Sequence, residues 1–454
     1  MSDVRRTPSR RFALVLAAVP LVALLLAEAG LAVRNSTDDS PTSQTGQHHA
    51  STTTTQAERA AEAEAARAAA LRDVVHRRAD ALIQHDRAEW RSTLDPARPR
   101  FDRQQMQLFD NLREVPLASW TYSFDPGQER PPVGRSTRYG VPSWAPLTFR
   151  LHYRLKGFDK RATSLMQYPT FVQRDGDWYF ASFDDFRGQG RRSATDLWDF
   201  GPVSVVRTPD VLVLGHPASL ATMQGLAAEV AADIPRVNAV WGSNWAQRVV
   251  VLVPSTQREL SQVVNDYGDL SDIAAVATAE VTVGKGDPNP VGDRIGINPA
   301  NWPKLSTLGR RIVITHELTH VASRAVTSGS TPKWLAEGLA DYVGYLDSGV
   351  PTTFVAQDLR SEVLTGKVPQ TFPTDESFRG SSARLSQSYE ASWLACRLIA
   401  QRWGQAALVR FYAAVGRSHA RPAAAVAAAA THVLHVSSRE LLSQWRGFVR
   451  SELS

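Results

Sequence analysis

The sequence predicts a multidomain α+β protein. Its 454 residues are 43% hydrophobic, which is enough for two or three domains with cores of their own. Residues 57–200 begin with helical periodicity and continue with short alternating strands, whereas strand and helix patterns alternate from residue 201 onward. We therefore predict a signal or anchor segment at residues 1–34, a disordered linker at 35–56, an accessory α+β domain at 57–200, and a second domain at 201–454.

The first segment has the features of an element that enters a membrane. Arg5, Arg6, Arg10 and Arg11 precede the mostly apolar residues 12–33. Such a segment keeps its basic end in the cytoplasm. Two interpretations stay open, namely an uncleaved anchor, for which the stretch is long enough, and a signal peptide cleaved at its small residues. The sequence thus predicts a single-pass protein of the cell membrane, with its C-terminal domains outside and the membrane as a partner, or else a secreted protein.

Composition limits the other partners and the redox chemistry. Residues 35–56 are mainly Ser, Thr, Gln and Asp, so they lack the apolar surface needed to fold. The net charge of +6 comes from 51 basic and 45 acidic residues, and four of the arginines lie at the extreme N-terminus. The remainder is only mildly basic and gives no indication of nucleic-acid binding. A single cysteine, Cys396, excludes an intramolecular disulfide framework.

The accessory domain is predicted from a change of periodicity. Residues 57–84 and 86–94 have helical patterns, and strands are expected at 120–124, 147–155, 164–173 and 177–182. Residues 174–177 have the composition of a hairpin turn. The order resembles, in pattern only, the cone-shaped nuclear-transport-factor-type or cystatin-like fold, in which a curved sheet wraps a helix. No acid–base constellation lies here, so we expect a role in binding, spacing or restraint.

The second domain is predicted to begin with alternating strands and helices. Strands are expected at 211–215 and 248–253, and helices at 218–240 and 256–264, with a kink or break at Pro235. Two further strands, at 274–283 and 293–298, precede the most informative helix of the chain. Later helices are expected at 385–402, 423–430 and 437–453.

That helix contains three residues with metal chemistry. His316, Glu317 and His320 stand at positions i, i+1 and i+4, so they project from one helical face. Two imidazoles one turn apart supply two nitrogen ligands to Zn²⁺, and the carboxylate between them can take a proton from a water on the metal. The neighbouring residues are uncharged, which indicates a buried helix. Because Cys396 is the only thiol, a closed thiolate-rich structural site is disfavoured.

A catalytic zinc needs a third protein ligand and leaves its fourth position to water. Thr331 and Pro332 indicate the start of a second helix, on which Glu337 and Asp341 share a face. We predict Glu337 as the third ligand of one zinc ion per chain. Asp341 is predicted to orient a ligand histidine through its other ring nitrogen. Gly338 would let two backbones approach closely.

These two segments resemble the signature of the gluzincin zinc metallopeptidases, in particular the peptidase-MA-like group. The resemblance covers roughly residues 205–454 and depends on His316 to His320 together with Trp334, Glu337, Gly338 and Tyr342. The metzincin pattern fails because its required glycine and histidine are absent.

The resemblance implies zinc-dependent hydrolysis of peptide bonds in peptide or protein substrates, by a metal-activated water with Glu317 as general base. It also implies a tyrosine that donates to the developing oxyanion, for which Tyr389 is the candidate. One of the two strands before the zinc helix is expected to be an exposed edge that a substrate can join. The alternative is a non-catalytic, zinc-stabilised binding or structural module of the cell envelope.

Overall fold

The computed structural model describes residues 50–125, 128–129, 137–264, 270–271, 273–280, 291–379 and 382–454. Its fold is mixed α+β with two large hydrophobic cores, as expected of the multidomain α+β protein that the sequence predicts. The N-terminal part begins with three helices, α1 (Ala50–Ile83), α2 (Arg87–Ser92) and α3 (Pro99–Asn111). Asp86 caps α2 by accepting from the backbone N–H groups of Ala88 and Glu89. The helix α3 is absent from our sequence-based expectations.

Seven strands follow in two small antiparallel sheets. They are β1 (Leu117–Phe124), β2 (Gln128–Glu129), β3 (Ser143–Pro146), β4 (Phe149–Leu155), β5 (Thr163–Met166), β6 (Thr170–Arg174) and β7 (Asp177–Ser182). One sheet has the order β1-β4-β5 and the other β2-β3-β6-β7.

The single strand expected at residues 164–173 is in fact two strands, one in each sheet. Pro169 lies between them and has no N–H to donate to a ladder. The turn between β6 and β7 has positive φ at Asp175 (52°) and Gly176 (94°), as the predicted hairpin requires.

The next unit is a five-stranded sheet. Its strands are β8 (Ser204–Arg207), β9 (Val211–Gly215), β10 (Val249–Val253), β11 (Ala275–Glu280) and β12 (Val291–Ile297), in the order β11-β12-β10-β9-β8. The central strands β9, β10 and β12 are parallel, and β11 and β8 are antiparallel edges. Helix α4 (Leu220–Trp241) runs on through Pro235, so the expected break is wrong, whereas α5 (Gln257–Val263) is as expected.

The chain ends in a helical region that shares one hydrophobic core with α4 and the sheet. Its helices are α6 (Thr307–Ser323), α7 (Lys333–Tyr345), α8 (Thr352–Val355), α9 (Gln357–Leu364), α10 (Leu385–Trp403), α11 (Gln405–Gly416), α12 (Pro422–Ala429) and α13 (Ser438–Leu453). Ser437 begins α13 with a reciprocal cap to Glu440.

The two faces of the five-stranded sheet are buried against different parts of the chain. Val213 and Val251 pack into the core that contains α4 and α6. Leu212, Leu214 and Val250 alternate with them and pack into the core of the N-terminal helices and sheets. The N-terminal part therefore lies behind the sheet, on the face away from α6. The boundary predicted at residue 201 stays a prediction, and a fragment cut there would expose this apolar face to water.

A buried ion pair joins the same two parts. Asp159 follows β4, and its two carboxylate oxygens each lie 2.8 Å from a guanidinium nitrogen of Arg294 on β12. Both side chains are almost fully buried, at 4% and 7% exposure. The bidentate geometry fixes the register of the N-terminal part on the sheet.

The structure corrects two expectations for the N-terminus, the disordered linker and the membrane segment. Helix α1 begins at Ala50, so the last residues of the linker predicted at 35–56 are helical, because a helix nucleated by the buried part of α1 extends at little cost. In the part of the chain that the structure describes, no helix is both long and apolar enough to cross a membrane. By this finding the prediction of a single-pass cell-membrane protein is wrong. The segment at residues 12–33, on which that prediction depends, lies outside the described residues.

Candidate metal centre

The first metal-ligand helix, α6, begins with a side-chain cap and is buried along most of its length. The Ser306 hydroxyl accepts from the N–H of Gly309 at 3.0 Å, which satisfies a donor at the helix start. Ile312 to Thr319 are all buried, because α4 and α7 cover the helix and β11 lies beside it. The uncharged neighbours of His316 thus form a core rather than a solvated surface.

The second helix, α7, begins at Lys333, and Pro332 occupies the position before it. Thr331 does not cap this helix, contrary to our expectation. Its hydroxyl instead accepts from the N–H of Ser328 at 3.3 Å, within the preceding loop. The N–H of Lys333 donates to Asp375 at 2.9 Å, so a carboxylate from a distant loop replaces the local cap.

Gly338 brings α7 directly against α10. A methyl group at this position would overlap the Ser392 carbonyl oxygen and lie 2.7 Å from its carbon. Those are backbone atoms that a side-chain rotation cannot move away. The close approach predicted for Gly338 is therefore present, and it holds the adjacent Glu337 at a fixed depth beside α6.

The three predicted ligands converge on one point. The Nε2 atoms of His316 and His320 are 3.0 Å apart, and the Glu337 Oε2 atom lies 3.4 Å from each. Zinc bonds of about 2.0–2.1 Å in tetrahedral geometry place two ligand atoms about 3.3 Å apart. The three separations fit that triangle, so the cluster could bind a divalent metal such as zinc.

The carboxylate of Glu337 also suits a cation in its burial and its charge. The second carboxylate oxygen of Glu337, Oε1, is buried and has no hydrogen-bond partner among the described residues. Burial alone would raise the pKa of Glu337, but the two histidines outweigh that effect and lower it to about 2. A buried carboxylate that remains ionised and partly unpartnered is the donor that a metal ion requires.

Asp341 lies one turn beyond Glu337 and contacts the far side of His316. Its Oδ1 atom is 2.8 Å from the His316 Nδ1 atom, so Nδ1 donates and Nε2 points at the cluster. Burial would lower the pKa of His316, but the Asp341 carboxylate outweighs it, and the pKa is raised to about 10. Asp341 therefore fixes the orientation and raises the basicity of one candidate ligand.

Replacing Asp341 with Asn should weaken metal binding. The amide keeps the size of the side chain but removes the charge that orients His316, and losses of such partners typically cost about 10–100-fold in metal affinity. We expect a zinc dissociation constant raised within that range, measured by competition with a chromogenic chelator. Asp347→Asn, at a position on the loop after α7, serves as control. An unchanged affinity in Asp341→Asn would contradict the orienting role.

Glu317 lies beside the cluster but does not belong to the ligand triangle. It is buried, and burial raises its pKa, although the histidines partly offset the effect. The backbone N–H of Ala277 donates to its carboxylate. Since Ala277 belongs to β11, the carboxylate is held between the metal-ligand helix and the edge of the sheet.

The edge strand expected from the sequence is β11, whereas β12 lies inside the sheet. Arg324, one turn after His320, is buried, pairs with Asp293 at 3.0 Å, and donates to the Ala277 carbonyl at 3.4 Å. Our sequence analysis missed Arg324. Arg324 follows His320 by four residues and so lies on the same face of the helix. That spacing could have identified it as a residue near the metal centre.

Tyr389 is placed in α10, where it is buried and packs edge-on against Phe378 with ring centroids 5.2 Å apart. Its predicted role in stabilising an oxyanion stays a prediction. Tyr342, in α7, accepts from the Gln405 side chain at 3.3 Å, so its hydroxyl is directed toward α11. Cys396 is fully buried, and burial raises the pKa of its thiol, which suits a core residue.

Comparisons with known proteins give remote structural similarity only. No family model matches the sequence, and no curated protein matches it. The chain is similar to an M1 zinc metallopeptidase from Deinococcus radiodurans, which was solved with a Tyr-Ser-Ala substrate. The two are 15% identical, the match covers 62% of this chain and 59% of that chain, and the TM-score is 0.33. It is likewise similar to a two-domain M1 zinc metallopeptidase solved with L-arginine, at 15% identity, 62% and 58% coverage, and a TM-score of 0.34. The chain thus matches less than two thirds of the length of these structures.

Proposed function

We propose that this chain is a zinc-dependent peptidase of the gluzincin type. The observation that supports the proposal best is the triangle of His316, His320 and Glu337 ligand atoms on two packed helices, with sides of 3.0, 3.4 and 3.4 Å. A buried carboxylate, Glu317, lies next to that triangle without being part of it. A purely structural zinc site has no use for such a carboxylate.

A zinc ion bound there would supply an activated water and would polarise the carbonyl of the peptide bond. Glu317 then takes the proton from the attacking water and passes it to the amine that leaves. Its hydrogen bond from the Ala277 N–H fixes the direction of the carboxylate for both transfers. The buried surroundings keep competing bulk water away from it.

The other residues position these groups. Asp341 holds the His316 ring so that Nε2 faces the metal position. Gly338 sets the depth of Glu337 through its contact with Ser392. Tyr389 is the proposed donor to the developing oxyanion, as the resemblance implies.

The substrate is proposed to approach from the side of His320. This residue is the most exposed of the three candidate ligands, with 12% side-chain exposure against 1% for the other two. The edge strand β11 lies beside the same helix and is the strand that an extended peptide would join. Peptide and protein chains are therefore the proposed substrate class.

Peptide-library digestion with metal control tests the proposal. We expect the purified chain to cleave internal peptide bonds, to lose the activity when zinc is removed by a chelator, and to regain it when one equivalent of zinc returns. A chain that binds one zinc ion tightly but cleaves no member of the library would instead support a non-catalytic zinc module. Cleavage that continues without metal would contradict the mechanism.

A further inference from the structure

A cavity lies in the N-terminal part, away from the metal centre. It has a volume of about 550 Å³ and is lined mainly by α1, α3, β1 and the segment that follows β7. Cavities of this size bind small molecules in other proteins. Because the N-terminal part packs on the face of the five-stranded sheet opposite to α6, this cavity does not belong to the proposed peptidase site.

The residue that distinguishes the cavity is Arg78, on α1. It lines the cavity and is 1% exposed, so its guanidinium is almost fully removed from water. The guanidinium carbon lies 3.5 Å from the ring centroid of Trp90 and 4.8 Å from that of Phe180. These ring faces give partial stabilisation to the cation but no counter-charge.

The polar partners of Arg78 are all uncharged. Its guanidinium donates to the Thr93 hydroxyl at 3.5 Å, to the Gln105 side-chain oxygen, and to the Tyr122 hydroxyl. The Nε atom has no partner among the described residues. Burial lowers the pKa of Arg78, which reflects the cost of holding this charge without an anion.

Three other arginines in or against the N-terminal part each have a carboxylate partner. Arg174 pairs with Asp95 at 2.6 Å, and Arg138 pairs with Asp185 at 2.6 Å. Arg294 likewise pairs with Asp159. Within the described part of the chain, Arg78 is in no ion pair, so it brings an uncompensated positive charge to the wall of the cavity.

The rest of the wall is aromatic and contains one more unsatisfied polar atom. Trp120 and Trp198 line the cavity with ring centroids 5.9 Å apart, and Tyr122 lies beside them. The Asn111 side chain donates to the Trp198 carbonyl at 2.8 Å, but its buried Oδ1 atom has no partner among the described residues. The cavity thus offers a cation, flat apolar walls and one free acceptor.

The rim has the same sign of charge as the interior. Arg103, Arg187 and Arg192 line the cavity and are exposed, against the two acidic residues Asp184 and Asp199. The excess of positive charge favours the entry of an anion from solvent.

We propose that this cavity binds a small organic monoanion, a carboxylate with a flat or apolar body, whose charged group pairs with Arg78. The aromatic walls hold the body of the ligand, and Asn111 accepts a hydrogen bond from a hydroxyl or amide group where the ligand has one. The ligand supplies the counter-charge that the fold does not provide.

Matched pairs of ligands test the proposal on the full chain. Benzoate, indole-3-acetate and octanoate are each titrated against their neutral primary amides, with binding followed by calorimetry and by the fluorescence of the cavity tryptophans. At least one carboxylate should bind saturably, and its amide should bind at least tenfold more weakly. Equal binding of acid and amide, or no saturable binding by any of the three acids, overturns the proposal.

Two variants assign the binding to this cavity. Arg78→Met should abolish carboxylate binding and should raise or preserve the melting temperature of the ligand-free protein, whereas a purely structural arginine would lower it. Arg207→Met is the matched control, because Arg207 also lies over an aromatic ring, that of Phe158, but outside the cavity. Its carboxylate binding should equal that of the unmodified chain.

A third variant covers the case in which Arg78→Met does not fold. Leu108→Trp fills the cavity from α3 and leaves Arg78 in place. It should reduce carboxylate binding at least tenfold. Unchanged binding in a folded Leu108→Trp protein would show that the carboxylate binds elsewhere and would overturn the assignment.

Discussion

Replacing Glu317 with Gln should leave zinc bound and remove most of the peptide hydrolysis. The amide has the same shape, but it cannot take a proton from water, and the loss of a general base typically lowers a rate by about 10²–10⁴-fold. His316, His320 and Glu337 are untouched, so metal analysis should still find one zinc ion per chain. The rate constant kcat is measured on the best substrate from the library digest.

A matched control separates the chemistry from effects on folding. Glu229→Gln makes the same change in α4, where the carboxylate has only a distant contact with Arg310 of α6, at 3.7 Å. This variant should keep full activity and a nearly unchanged melting temperature. Undiminished turnover in Glu317→Gln would refute the proposed mechanism, whereas loss of zinc from that variant would show that Glu317 also supports the metal.

Replacing Asp159 with Asn should strongly destabilise the fold. Arg294 would remain buried without the carboxylate that it is hydrogen-bonded to, and breaking a buried ion pair from one side costs about 3–5 kcal/mol. We expect a fall of this size in the free energy of unfolding, measured by denaturant titration and confirmed by a lower melting temperature. Because the pair joins the N-terminal part to the sheet behind the metal centre, both parts should unfold in one transition.

The double variant Asp159→Asn with Arg294→Met tests the cause of that loss. Removing the unpaired charge should recover much of the lost stability, since an apolar side chain tolerates burial. Arg384→Met is the control, because the pair of Arg384 with Glu362 is exposed and such pairs contribute at most about 1 kcal/mol. A single Asp159→Asn variant as stable as Arg384→Met would show that water compensates Arg294.

The elements with strong local signals were predictable from the sequence. The caps of α5 and α13 and the turn at Asp175 and Gly176 lie where residue types require them. Weaker signals, such as single prolines, gave wrong predictions of where strands and helices end. Pro169 divides residues 164–173 between two sheets, and Pro235 lies inside α4 without ending it. Helix α3 was missed because only four of its residues are buried.

The sequence by itself determined the chemistry of the candidate metal centre. Helical periodicity is local, so the spacing of His316, Glu317 and His320 suffices to put two nitrogens and a carboxylate on one face. Only the tertiary structure decided that the Glu337 carboxylate lies 3.4 Å from the Nε2 atoms of both histidines. It also decided that β11 is the edge strand, in contact with Glu317 and Arg324. The packing of the N-terminal part behind the sheet was decided in the same way. Those arrangements depend on which buried faces meet across long stretches of chain, and no local periodicity encodes that choice.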